Sequence, residues 1–222
     1  MISDREVRGD LALQARALSL KGLLTIAVVG LMAALPPAAI AKTKPKAPPP
    51  RYQFAGVPWL VPADSAVARL AERDYRLVPG AGDKDKFVCR GKMFDHEALI
   101  TGHLDEQHRL VRWVVLIGSR GEPYDFPDMR HVFDEVTHEH ETRYGAPRAV
   151  AEKYRFPYEK GDGREDDALR DGKATIRWGW SSRSGDQLSV EMDRTAAVVI
   201  SYEAPEWAAI EARRRAKKAS DL

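Results

Sequence analysis

Residues 109–118 read RLVRWVVLIG. At a period of two, Val111, Trp113, Val115 and Ile117 share one side of a strand. Leu110, Val114 and Leu116 share the other, with Arg112 the single charge between them. A strand that is apolar on both sides belongs in the middle of a sheet, with at least partial cover on each face. Its Val and aromatic content favours a strand over a buried helical turn.

The flanking sequence supplies its neighbours. Residues 86–92 place Phe87, Cys89 and Gly91 opposite Val88 and Arg90, and residues 96–103 place Ala98, Ile100 and Gly102 opposite Leu99 and Thr101. The polar stretch 105–108 is a turn, and short turns between successive strands predict antiparallel pairing. Upstream, Phe54, Val57, Trp59 and Leu60 are apolar anchors. Val67, Leu70 and Ala71 recur at helical spacing, with Asp64 or Ser65 as the cap and Asp74 at the left-handed position that ends the helix. Downstream, a helix over residues 126–144 has Pro127 in its first turn, Gly145 as its C-terminal cap and Pro147 as its stop. Residues 150–156 read as a strand and 159–172 as a hydrophilic loop. Three strands follow at 174–180, 188–192 and 196–203, then a helix from Pro205. The order helix–strands, helix–strands, helix predicts an α+β domain. Its sheet is antiparallel with helices on one face, in a layout compatible with tandem helix–β-β-β units, though residue identity between the halves is slight.

The remaining sequence divides around this domain, residues 54–204. Residues 1–41 have the pattern of a signal peptide: scattered basic residues, an uncharged apolar run over 22–35, a Pro36-Pro37 break and Ala39-Ile40-Ala41 as a cleavage site. The mature chain is then expected to begin at Lys42 in the periplasm or outside the cell. The alternative is an uncleaved inner-membrane anchor, since residues 22–41 carry no charge over a length that spans a bilayer. Residues 42–53 are a basic, proline-rich linker and 205–222 a basic C-terminal helix. The net charge of +2 on 222 residues gives no field that would call for nucleic acid, and the single cysteine, Cys89, excludes an intramolecular disulfide.

Few residues carry a chemical signal. His131, Glu135 and His138 form one stripe of the long helix, and Glu135-x-x-His138 has the spacing of a carboxylate–histidine metal element. Met129, Val132, Phe133 and Val136 define the apolar face, so the stripe should face solvent. His140 returns to the apolar side, where a packed, hydrogen-bonded histidine is expected. Cys89 alternates with Phe87 and Gly91 and reads as a small buried residue. His96 and His103 fall on opposite faces of their strand. Asp162, Glu165, Asp166 and Asp167 lack the alternation of a calcium loop and read as a solvated loop. Trp178 and Trp180 point the same way and read as a core layer. Arg213, Arg214, Arg215, Lys217 and Lys218 cluster at the chain's end, where they suit a helix dipole or an anionic membrane surface. No cofactor motif is present.

One resemblance carries further. A helix ending in Tyr144-Gly145-Ala146-Pro147, then a strand, then Trp178-Gly179-Trp180 and two more strands resembles small bacterial envelope proteins. The layout is similar to the SmpA/BamE-type outer-membrane assembly lipoproteins and to the tandem-repeat β-lactamase inhibitor protein. The chain lacks the lipidated cysteine of the first and the paired cysteines of the second. The resemblance implies a class, a periplasmic recognition or scaffolding domain, and no site residue. The sequence is therefore expected to encode a non-catalytic envelope binding domain whose partner is another envelope protein or an anionic surface. The alternative is a small metal-dependent hydrolase using His131, Glu135 and His138.

Overall fold

The computed structural model describes residues 52–118 and 125–220. The expected signal peptide and most of the linker lie outside the described residues. No described helix is long and apolar enough to cross a membrane.

A helix, α1 (Ala63–Ala71), precedes β1 (Arg76–Leu77), β2 (Lys86–Met93), β3 (His96–Leu104) and β4 (Leu110–Ile117). The long helix α2 (Phe126–Tyr144) precedes β5 (Ala149–Tyr154), a short helix α3 (Glu165–Arg170), β6 (Ala174–Ser181), β7 (Gln187–Met192) and β8 (Val198–Glu203). Helix α4 (Trp207–Ser220) ends the described chain. The strands form one antiparallel sheet in the order β1-β2-β3-β4-β8-β7-β6-β5. The fold is thus α+β, with β4 at the centre between β3 and β8.

The sheet order is palindromic: each half is a leading helix and four strands, with α3 added between β5 and β6 in the second, and the halves meet last strand to last strand. Their closing hairpins share one turn. Asp105 accepts hydrogen bonds from the Gln107 and Arg109 amides, and His108 takes a left-handed φ of 56°. Asp193 accepts from the Thr195 and Ala197 amides, and Ala196 takes a φ of 62°. An Asp at the first turn position satisfies the amides left free by the tight reversal, so two hairpins of dissimilar sequence close alike.

Val111, Trp113, Val115 and Ile117 are fully buried on what we call the inner face, and Arg112, Val114 and Leu116 are half-buried on the outer face. A row of directly opposed inner residues runs Phe87, Gly102, Trp113, Tyr202, Leu188, Trp180 across six strands. Gly102 is required there, because a Cβ would stand 2.4 Å from the Phe87 ring. Helix α2 lies on this face, with Phe133 edge-on to Trp178 at 6.3 Å and His140 bonded to Tyr202. Helix α1 lies against β1 and β2 and buries Ala66 and Leu70. Helix α4 reaches the outer face at one end of the sheet, where Trp207 sits 5.1 Å from the Arg112 guanidinium and 5.5 Å from the His103 ring.

Several local expectations need correction. Neither Asp64 nor Ser65 caps α1: Pro62 is the N-cap residue, without a side-chain bond, and both polar residues lie in the first turn. Proline's fixed φ suits this start, which lies two to three residues before the expected one. The 159–172 segment contains α3, whose Ala168 and Leu169 are buried. Asp74 does take a positive φ, 63°, and Gly145 after α2 also has a positive φ, 84°, with an extended ψ of −177°.

Candidate functional site

His131, Glu135 and His138 lie on the exposed side of α2, opposite Met129, Val132, Phe133 and Val136. His131 and Glu135 pair at 3.3 Å. Among the described residues, no three metal-ligating side chains converge. The acidic groups of the 159–172 segment are engaged locally: Asp162 accepts from the Glu159 and Arg164 amides, Glu165 from the Gly161 amide, and Asp166 and Asp167 hold Arg170. Trp180 is buried and donates its indole N–H to Gly145 O at 2.8 Å, tying β6 to the end of α2. Cys89 is fully buried, and burial pushes its thiol up to about 11, so it stays protonated near neutrality.

Among the described residues, cavities open on both faces of the sheet. The first, of about 390 Å³, lies between the ends of α1 and α2 on the inner face. His140 and Tyr202 line it, with Tyr75 and Tyr144 beside them and Arg73 and Arg143 also in its wall. His140 Nδ1 lies 2.6 Å from Val136 O, and Nε2 lies 2.7 Å from the Tyr202 hydroxyl. A carbonyl can only accept, so Nδ1 carries the proton and Nε2 accepts from Tyr202. Burial lowers the His140 pKa and raises that of Tyr202, which holds both neutral. With both ring nitrogens bonded inside the protein, the pair fixes α2 to β8 and has no free proton-transfer position.

The second cavity, about 540 Å³, is a shallow trough on the outer face of β5–β8. In register, Ala149 faces Gly179, Gly179 faces Ser189, and Ser189 faces Ser201, so its floor is made of small side chains. Arg148, Arg177 and Glu203 stand around it. No described helix covers this half of the outer face, whereas α4 packs at Arg112 and His103. The trough escaped the sequence reading because it exists only once non-adjacent strands are aligned. Its signal was the outward alternation of small polar residues, Ser189 in β7 and Ser201 in β8.

Of the C-terminal cations, Arg214 is drawn into the fold. It donates to Leu104 O at 2.7 Å, lies 3.8 Å from Asp85 and stacks over Trp207 at 5.9 Å. Arg215 pairs with Glu211 at 2.6 Å on the surface. Arg213, Lys217 and Lys218 are exposed.

Against protein-family models, curated proteins and solved structures, the chain has no match. What the fold defines is a class: an α+β domain with an eight-stranded antiparallel sheet, helices over one face and half of the other face left uncovered by the described elements.

Proposed function

We propose that this chain is an exported, non-catalytic binding or scaffolding domain of the cell envelope, and that it recognises its partner through the outer face of β5–β8. The observation that carries this reading is the trough of about 540 Å³, a floor of small side chains that includes Ser189 and Ser201, with charges at its margin and no described element above it. Concave sites with a few placed polar groups are the usual form of a recognition surface. The export pattern of residues 1–41 and the layout resemblance to envelope modules support the location. The exposed cations Arg213, Arg215, Lys217 and Lys218 would add attraction to an anionic bilayer, at about 1 kcal/mol each. Ser189→Trp fills the trough without touching the inner core, so it separates recognition from folding. Immobilised native protein is expected to retain an envelope component that the Ser189→Trp protein, melting at the same temperature, does not. Identical retention by the two proteins would overturn the reading.

A further inference from the structure

The two edges of the sheet differ. β1 is two residues long and is followed at once by Val78 and Pro79. β5, at the other edge, is six residues long and contains no proline. The Arg155 amide donates to Lys173 O at 2.8 Å, continuing the register in which Tyr154 faces Ala174. In an antiparallel ladder alternate residues bond the same neighbour. The odd-numbered residues of β5 therefore bond β6, and the backbone N–H and C=O groups of Val150, Glu152 and Tyr154 turn to the free edge. No described strand pairs with them.

The side chains along this edge are open as well. Val150 is 57% exposed and Phe156, two residues past the strand, is 91% exposed. Natural edges of this length are normally blunted by proline, a bulge or charged side chains, lysine above all, and such charges deter a second copy but not a strand of opposite charge. Here the charge is one-sided. Arg148, Lys153 and Arg155 are exposed and form no ion pair among the described residues. The one acidic residue of the strand, Glu152, is already held by Arg130 at 2.8 Å and Lys160 at 2.9 Å. On the outer face, Ala149, Ala151 and Gly179 leave space beside the edge for the side chains of an added strand.

We propose that β5 is a docking edge that takes an extended, acidic segment of another protein as an additional antiparallel or parallel strand. Backbone pairing supplies the affinity in this mode of recognition, and side chains supply the choice of partner. The unpaired cations select an acidic segment over a second copy of this chain, because two paired β5 edges would place the Arg148, Lys153 and Arg155 charges of both copies on one strand pair. The proposal rests on the binding-domain reading and names the partner's chemistry.

The test uses the exported full chain and two short, capped, labelled peptides, one alternating valine with aspartate and one alternating valine with lysine. The acidic peptide is expected to bind at least about tenfold more tightly at low salt, and to lose that advantage as salt rises. Val150→Pro removes an outward N–H while leaving the β6 ladder whole. It should weaken the acidic peptide by about tenfold with an unchanged melting temperature. The Lys153→Glu, Arg155→Glu double variant should reverse the preference between the peptides. Equal binding of the two peptides, or no effect of Val150→Pro, would overturn the proposal. So would a dimer that forms without peptide and dissolves in Val150→Pro, which would make a second copy the occupant. If the peptides fail while Ser189→Trp still abolishes retention of an envelope component, the edge proposal alone is lost. If that retention is also insensitive to Ser189→Trp, the binding reading falls with it.

Discussion

Replacing Trp113 with alanine is expected to destabilise the fold by about 4 kcal/mol, within the roughly 3–5 kcal/mol usual for a buried tryptophan. The ring is fully buried at the centre of the sheet, edge-on to Phe54 at 5.7 Å and to Phe87 at 5.6 Å. Removing it takes out roughly 150–250 Å² of buried aromatic surface and two favourable ring pairs. One feature opposes this loss. Among the described residues the buried Trp113 indole N–H has no hydrogen-bond partner, and an unmet donor costs about 1–3 kcal/mol. Trp113→Phe removes that donor while keeping most of the ring contact, so it should fall within about 1.5 kcal/mol of the native protein. Urea unfolding followed by far-ultraviolet circular dichroism compares the three proteins without relying on tryptophan emission. For a domain of this size about 4 kcal/mol corresponds to a fall in Tm of roughly 8–16 °C. An alanine variant that unfolds at nearly the native urea midpoint, with an unchanged slope, would refute the placement of β4 at the centre.

The other predictions concern the edges of the fold. His103 lies beneath Trp207, with Arg112, Arg214 and Lys86 near and Asp83 the opposing charge; burial and those cations push its pKa down to about 4. A depressed pKa means the unfolded chain binds the proton first. Stability should therefore be full above about pH 6.5 and decline as the pH falls toward about 4, and His103→Gln should flatten that decline in thermal melts. His140, also lowered, contributes in the same direction and remains in the variant, as do the lowered carboxylates Asp105 and Glu152 toward the acid end. Arg214→Ala should cost about 1 kcal/mol through its bond to Leu104 O, whereas deleting residues 215–222 should leave the melting temperature unchanged. That same deletion should reduce low-salt sedimentation with anionic vesicles, and equal sedimentation would remove the membrane-surface role of the tail. Intact mass of the exported protein should place its first residue at Lys42; a membrane-bound species retaining residues 22–41 would establish the anchor instead.

The elements that were legible in the sequence are those whose signal is local. The Arg112/Trp113 alternation marked β4, and Asp74, Gly145 and Pro147 marked where two helices stop. The packed state of His140 followed from helical phase alone. The β4–β8 seam could not be read, because Trp113 and Tyr202 meet across a long stretch of chain and many strand orders satisfy the same alternation. Helix α3 was hidden because it is little more than one turn and mostly charged, with Ala168 and Leu169 its only apolar cue. Arg214 reads like its basic neighbours, yet position alone brings it to Leu104 O and Trp207. The trough and the β5 edge are properties of strand order, so they became visible only with the sheet assembled.

The most direct test of recognition through the open face is site-specific photo-crosslinking in intact cells. A photoreactive side chain is placed in turn at Ser189, in the trough, and at Glu135, on the exposed side of α2. The account predicts a discrete adduct with an envelope component from position 189 and none from position 135. Adducts from position 135 alone would contradict it and turn attention to the histidine-bearing face of α2.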